Sequence, residues 1–181
     1  AVSPRGAGKL FGRAPKSLED IFANASKGGT GGFAMGSAAA ITTRTEHRRL
    51  SSANVIALLP GADPRRSRES IVITAHLDHL GIGSPINGDS IYNGAHDNAI
   101  GVAMLMETGR MLASETNGLR RSVLFAAVTG EEKGLLGSDF LAQHLPAAAG
   151  RVVANVNLDM VLFLTPTRSF TVIGAEHSSL R

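Results

Sequence analysis

Of the ten acidic residues after position 70, five (Asp78, Asp97, Glu131, Glu132 and Asp159) stand just beyond strand-like runs. His76 closes one of those runs. In open α/β sheets the carboxyl ends of parallel strands line the crevice where ligands bind, so residues following Ala75, Val128 and Leu158 can converge although far apart in sequence. Carboxylates gathered around one imidazole raise one another's pKa unless a cation neutralises them. A divalent metal removes that penalty. A nitrogen and oxygen donor set without thiolates suits zinc first, with cobalt or manganese next and calcium disfavoured by the histidine. An open coordination position would make such a site catalytic.

Each segment has its own local reading. In His76-Leu77-Asp78 the imidazole and carboxylate lie two residues apart, so on a continuing strand both point one way and Asp78 can hold the second ring nitrogen, fixing the tautomer. Taken alone, the tripeptide reads as a strand-end histidine beside a solvated aspartate. Asp97 precedes a helical pattern and serves equally as its N-terminal cap or as a ligand. Glu131 and Glu132 are adjacent and must diverge, one able to bind a metal while the other faces its water; a solvated charged turn is the alternative. Asp159 lies between apolar stretches, which predicts a buried or nearly buried carboxylate in need of a partner.

The elements that would position these groups are short. β-Branched runs at 54–59, 71–75, 123–128, 152–158 and 170–173 alternate with helical patterns. The spacing of Ile100, Ala103, Met104, Met106, Glu107 and Met111 predicts a helix over about 98–113, and 138–145 suggests another. Strands separated by helices imply an α/β sheet that is parallel at least in part. With 21 glycines and eight aromatic residues among 181, the core must be built from Ala, Val, Leu and Ile. Residues 1–50 read as a connector, with a helix starting at Ser17, whose hydroxyl caps it opposite Asp20. The glycines at 28–32 lack the Gly-Lys-Ser/Thr ending of a phosphate-binding loop.

Composition excludes several classes. Residues 1–70 carry 11 Lys/Arg against 5 Asp/Glu and the remainder 7 against 10. The basic clusters around Arg44–Arg49 and Arg65–Arg68 have no interleaved aromatics, so solvated faces are expected rather than a nucleic-acid footprint. The absence of cysteine removes disulfides, thiolate metal sites and a cysteine nucleophile. Apolar runs of about six residues fall far short of the roughly 20 a membrane-spanning helix needs.

Taken together, residues 54–64 (NVIALLPGADP), 71–83 (IVITAHLDHLGIG), 91–103 (IYNGAHDNAIGVA), 129–138 (TGEEKGLLGS) and 155–160 (NVNLDM) resemble the M28 family of zinc aminopeptidases in order and spacing. The resemblance spans about 51–181 and implies a three-layer α/β fold, a mostly parallel or mixed sheet flanked by helices as in zinc exopeptidases, incomplete at its C-terminal end. It also implies two zinc ions. His76 and Glu132 match ligands of one, Asp97 the carboxylate bridging both, and Asp159 a ligand of the other; Glu131 matches the general base and Asp78 the residue orienting His76. The implied substrate is a peptide with a free N-terminus.

The departures are as informative. The family's second zinc takes a further histidine well downstream, so residues 51–181 are expected to be the N-terminal part of a catalytic domain, with one zinc well held by His76, Asp97 and Glu132 and one weak or absent. Residues 1–10 resemble the tail of a protease-associated domain. His96 and Ile100 replace the usual Asp and Ser; His79 and His144 are expected at the surface or behind the ligands, and His177 matches no ligand. Family membership implies export to the periplasm or outside the cell. Two other readings stay open: a glutaminyl cyclase, which shares the fold and uses one zinc, and a catalytically inactive binding ectodomain. Glu131 argues against the last, since binding alone needs no general base.

Overall fold

The computed structural model describes residues 2–29, 31–115, 118–161, 172–177 and 179. Contacts divide the chain into two compact units, Ala1–Arg49 and Leu50–Arg181. In the first, Pro4–Phe11 forms helix α1, where proline's fixed φ suits the first turn and the Ser3 hydroxyl accepts from the Gly6 N–H at 3.1 Å. Helix α2, Leu18–Ala25, starts as the sequence predicts: Ser17 Oγ accepts from the Asp20 N–H at 3.0 Å, and the Asp20 carboxylate accepts from the Ser17 N–H at 3.2 Å. Neither helix buries a residue, and Phe11 meets Phe33 edge to face.

The second unit holds the sheet. Its strands are β1 (Val55–Leu59), β2 (Glu69–His76), β3 (Gly81–Ile86), β4 (Asp89–Tyr92), β5 (Ser122–Val128) and β6 (Arg151–Asn157). The main sheet runs β1-β5-β2-β6, with β5, β2 and β6 parallel and β1 antiparallel at one edge. Four of the five expected strands are therefore present; the fifth, at 170–173, falls partly outside the described residues. The hairpin of β3 and β4 was not expected, although Asn87-Gly88 between them, both at positive φ, is a turn pair whose left-handed backbone suits two-residue hairpin loops.

Helix α3 (Ile100–Ala113) lies on one face of the sheet and α4 (Leu136–Gln143) on the other. Alternation along β5 explains this. Val123 and Phe125 pack with Ala75 and Leu105 on the α3 side, whereas Leu124 joins Val72 and Ala149, and Ala126 and Val128 meet Leu141 of α4. A central strand covered on both faces must be apolar throughout, as β5 is. The architecture is thus three-layered with a mixed sheet. Among the described residues no helix is long and apolar enough to cross a membrane.

Helix α3 exists where predicted, but its buried stripe differs. Gly101 and Leu105 are buried, with Val102 and Leu112 partly so, while Met106 and Met111 are exposed. Small residues decide the approach: a side chain at Gly101 would overlap the Asn98 amide and the Leu158 carbonyl, and Gly109 faces the Phe125 ring.

Candidate metal centre

The carboxyl ends of three parallel strands meet at one rim. His76 is the last residue of β2, opposite Val128, the last of β5; Glu131 and Glu132 follow β5, and Asp159 follows β6. Asp97 enters from a wide, π-type turn, Ala95–Ala99, immediately before α3, in which Asp97 and Asn98 themselves depart from helical dihedrals. It is not a side-chain cap of that helix: the first-turn side-chain bond is made by Asn98, whose Oδ1 accepts from the Gly101 N–H at 3.2 Å.

His76 is 2% exposed, with Nε2 3.0 Å from Asp97 Oδ1 and 3.5 Å from Asp159 Oδ1. Its Nδ1 lies 3.0 Å from the backbone carbonyl of Asp78. A carbonyl only accepts, so Nδ1 carries a proton, and Nε2 is the ring nitrogen that faces the carboxylates. The Asp78 carboxylate has a different set of partners: Oδ1 is 3.8 Å from His76 Nδ1, while its two oxygens accept from the backbone N–H groups of Glu131 at 3.1 Å and Glu132 at 3.3 Å. β2 ends at His76, so Asp78 no longer follows strand alternation and anchors the neighbouring loop instead.

A second group lies alongside. His79 Nδ1 is 2.8 Å from Glu132 Oε1 and 3.8 Å from Asp97 Oδ2. Asp97 therefore stands between two triads, His76/Asp97/Asp159 and His79/Asp97/Glu132, offering one oxygen to each. This grouping differs from the one the resemblance implies, because His76 falls with Asp159 rather than with Glu132. Asp159 is also more open than its apolar surroundings predict, 38% exposed at the end of edge strand β6. Glu131 belongs to neither triad, as do His96, His144 and His177 among the described residues. His144 stacks on Phe140, and His177 pairs with Glu176.

Burial opposes a charge on His76, but the Asp78 carbonyl and the carboxylates of Asp159, Glu131 and Asp97 outweigh it and hold the imidazole above its usual pKa. The rim is a place where positive charge is stabilised. The donor spacing also suits a small ion. Two atoms each about 2.0–2.1 Å from a tetrahedral metal are about 3.4 Å apart. The separations of 3.0 and 3.5 Å in one triad and 2.8 and 3.8 Å in the other bracket that value. Nitrogen with carboxylate oxygen, and no sulfur, is a zinc-type donor set.

Asn98, which sequence reasoning missed, ties the rim together. It is 2% exposed; its Nδ2 donates to the Leu158 carbonyl at 2.9 Å, and its Oδ1 accepts from Gly101 and Met160 N–H groups, each at 3.2 Å. It thereby joins the residue after Asp97 to both neighbours of Asp159.

Residues 54–181 match the model of peptidase family M28. The chain belongs to that family. Relatives within reach of alignment include a probable zinc metalloprotease of Pyrenophora tritici-repentis, 38% identical over 109 residues, covering 60% of this chain and 21% of that protein. A probable leucine aminopeptidase of Arthroderma otae is 31% identical over 114 residues, covering 61% of this chain and 29% of that protein. Among solved structures, a zinc aminopeptidase from Bacillus subtilis aligns with a TM-score of 0.45 at 33% identity, covering 60% of this chain and 24% of that one. This M28 chain thus matches between a fifth and a third of the length of these relatives.

Proposed function

We propose that this M28 chain forms the metal-holding part of a zinc aminopeptidase that removes residues from the free N-terminus of peptides. The observation that carries the reading is Asp97, whose two oxygens are divided between two donor groups at the carboxyl ends of the sheet. Names given to relatives, a zinc metalloprotease and a leucine aminopeptidase, support peptide-bond hydrolysis over cyclisation.

His76, Asp97 and Asp159 would hold one zinc ion, and Asp97 with Glu132 would contribute to a second. Zinc so bound acidifies water toward neutrality and polarises a scissile carbonyl. The protein's own groups do the rest. The Asp78 carbonyl holds the His76 ring in one tautomer, and the Asp78 carboxylate pins the backbone of Glu131 and Glu132. With Glu132 turned into a triad, the adjacent Glu131 is left free beside it, close enough for its charge to act on His76. Glu131 would take the proton from the attacking water and return it to the leaving amine. The negative rim suits a substrate that presents an α-amine.

The test is zinc per chain after dialysis, for wild type and His76→Ala, together with turnover of aminoacyl anilides and of an N-terminal glutaminyl peptide. Retained zinc that His76→Ala diminishes supports the reading. In the active enzyme, Glu131→Gln should keep its zinc and lose about 10²–10⁴-fold in turnover. A wild type without zinc would overturn the proposal, and turnover of the glutaminyl substrate alone would move it to the cyclase.

A further inference from the structure

The end of the sheet opposite the metal rim carries the reverse charge. Residues 60–68 run beneath the amino ends of β5, β2 and β6, and hydrogen bonds clamp them there. The Ala62 N–H donates to the Leu119 carbonyl at 2.6 Å, and the Arg151 N–H donates to the Arg68 carbonyl at 2.9 Å. The Ser122 hydroxyl accepts from the Gly61 N–H at 3.0 Å and donates to the Ser67 carbonyl at 2.7 Å. Gly61 and Gly150 permit this closeness, since a side chain at either would overlap the backbone of Arg120–Ser122 or of Arg68. Six arginines far apart in sequence, Arg65, Arg66, Arg68, Arg120, Arg121 and Arg151, are thereby gathered on a fixed backbone.

Three carboxylates accompany them: Asp63, Glu69 and, just past α3, Glu115. Two are engaged in holding the floor together. Asp63 accepts from the Arg65 and Arg66 N–H groups and pairs with Arg120 at 3.2 Å, while Glu69 pairs with both Arg121 and Arg151. Among the described residues Arg65, Arg66 and Arg68 have no ion pair; Arg65 and Arg68 are exposed and Arg66 is half-buried. At the other end of β2, eight residues and roughly 23 Å away, stand Asp78, Asp97, Glu131, Glu132 and Asp159. The second unit is therefore dipolar along its strands. A planar negative surface draws in the arginine end of such a body and repels the carboxylate rim.

The residue type narrows the partner. All six cations are arginine, whose planar fork meets phosphate oxygens two at a time. No aromatic residue lies in 60–69, 119–122 or 149–151, so these segments offer no platform on which a nucleic-acid base could stack. A lipid phosphate needs none. We infer that this arginine end is a docking surface for the phosphate headgroups of an anionic lipid membrane, holding the chain at the surface by charge alone with the metal rim turned toward solution. The inference is independent of the zinc reading and adds to it where the enzyme would work.

The experiment is co-sedimentation of the 181-residue chain with vesicles of phosphatidylglycerol mixed with phosphatidylcholine, and with vesicles of phosphatidylcholine alone, at low and at high salt. Wild type is compared with Arg65→Gln/Arg66→Gln/Arg68→Gln, with Arg65→Gln/Arg68→Gln, and with Arg44→Gln/Arg48→Gln/Arg49→Gln, which removes the same charge from the other unit. Wild type should bind the mixed vesicles at low salt, leave them at high salt and ignore phosphatidylcholine. Each arginine near an anionic surface adds about fivefold to partitioning, so the triple floor variant should lose on the order of 100-fold and the double about 25-fold, while the control keeps wild-type partitioning. Equal loss in the control would overturn the inference, because net charge and not this face would then decide. Failure of wild type to bind the mixed vesicles at low salt would also overturn it, as would capture of an oligonucleotide or of heparin with the vesicles ignored, which would reassign the face to a soluble polyanion. If the triple variant fails to fold, the double variant, at two exposed positions, decides. Zinc plays no part in the readout, so loss of the peptidase reading would leave this result standing.

Discussion

Asn98→Ala should uncouple the two carboxylates that the rim depends on. The side chain is 2% exposed and makes three hydrogen bonds, to Leu158, Gly101 and Met160. Each contributes about 1 kcal/mol net, and truncation leaves a carbonyl and two N–H groups without their partner, so the metal-free chain should lose about 3 kcal/mol of stability. That is a large share of the roughly 5–15 kcal/mol typical of a domain. The same bonds fix Asp97 relative to Asp159, and loss of such supporting contacts weakens zinc binding by about 10–100-fold. Equilibrium urea unfolding followed by circular dichroism measures the first effect, and zinc competition against a chromophoric chelator the second. Asn98→Asp keeps the acceptor for Gly101 and Met160 but sets a buried carboxylate oxygen against the Leu158 carbonyl and beside Asp97, so it should be no more stable than alanine. A loss below about 1 kcal/mol in Asn98→Ala with unchanged zinc affinity would refute the reasoning, because three buried bonds cannot then be what aligns the rim.

Asp78→Ala removes the acceptor for the Glu131 and Glu132 N–H groups and should lower zinc affinity by about 10–100-fold, with the His76 tautomer unaffected because the backbone carbonyl holds it; the chelator competition and the imidazole nitrogen shifts in NMR report the two parts. Leu124→Ala, at a site 1% exposed between the sheet and Ala149, should cost about 2–5 kcal/mol in urea unfolding without changing zinc stoichiometry. Glu69 is held below the usual carboxylate range, first by its hydrogen bond from Arg121 and, against burial, by Arg151 as well. A lowered folded-state pKa means that the group stabilises the fold above its unfolded pKa and that the contribution disappears as pH falls through the folded value. Glu69→Gln should therefore flatten the acid limb of stability against pH and leave the neutral region unchanged in slope; an unaltered acid limb would refute this.

Much of the molecule was legible in its residues, for reasons that can be named. The strands of the sheet announced themselves because β5, covered on both faces, has to be apolar throughout, and Ser17 with Asp20 specifies a helix start by local bonds alone. The family resemblance likewise needs only residue types in order. What those signals lack is direction in space. The buried stripe of α3 runs through Gly101 and Leu105, not through the methionines, because closeness of approach depends on what the facing strand presents. Asn98 looks like any polar residue after an aspartate until the chain around Leu158 folds against it.

The pairing of donors shows the division most sharply. Sequence position alone put His76, Glu131, Glu132 and Asp159 at one rim, since each closes or follows a strand of a parallel sheet, while the family resemblance singled out Glu132 and added Asp97. Tertiary structure decided who stands beside whom: His76 beside Asp159, because β2 and β6 are neighbours, and Glu132 beside His79, because the chain turns away from the strand after His76. Strand order and the course of a loop past its strand are set by long-range packing, and no spacing along the chain encodes them.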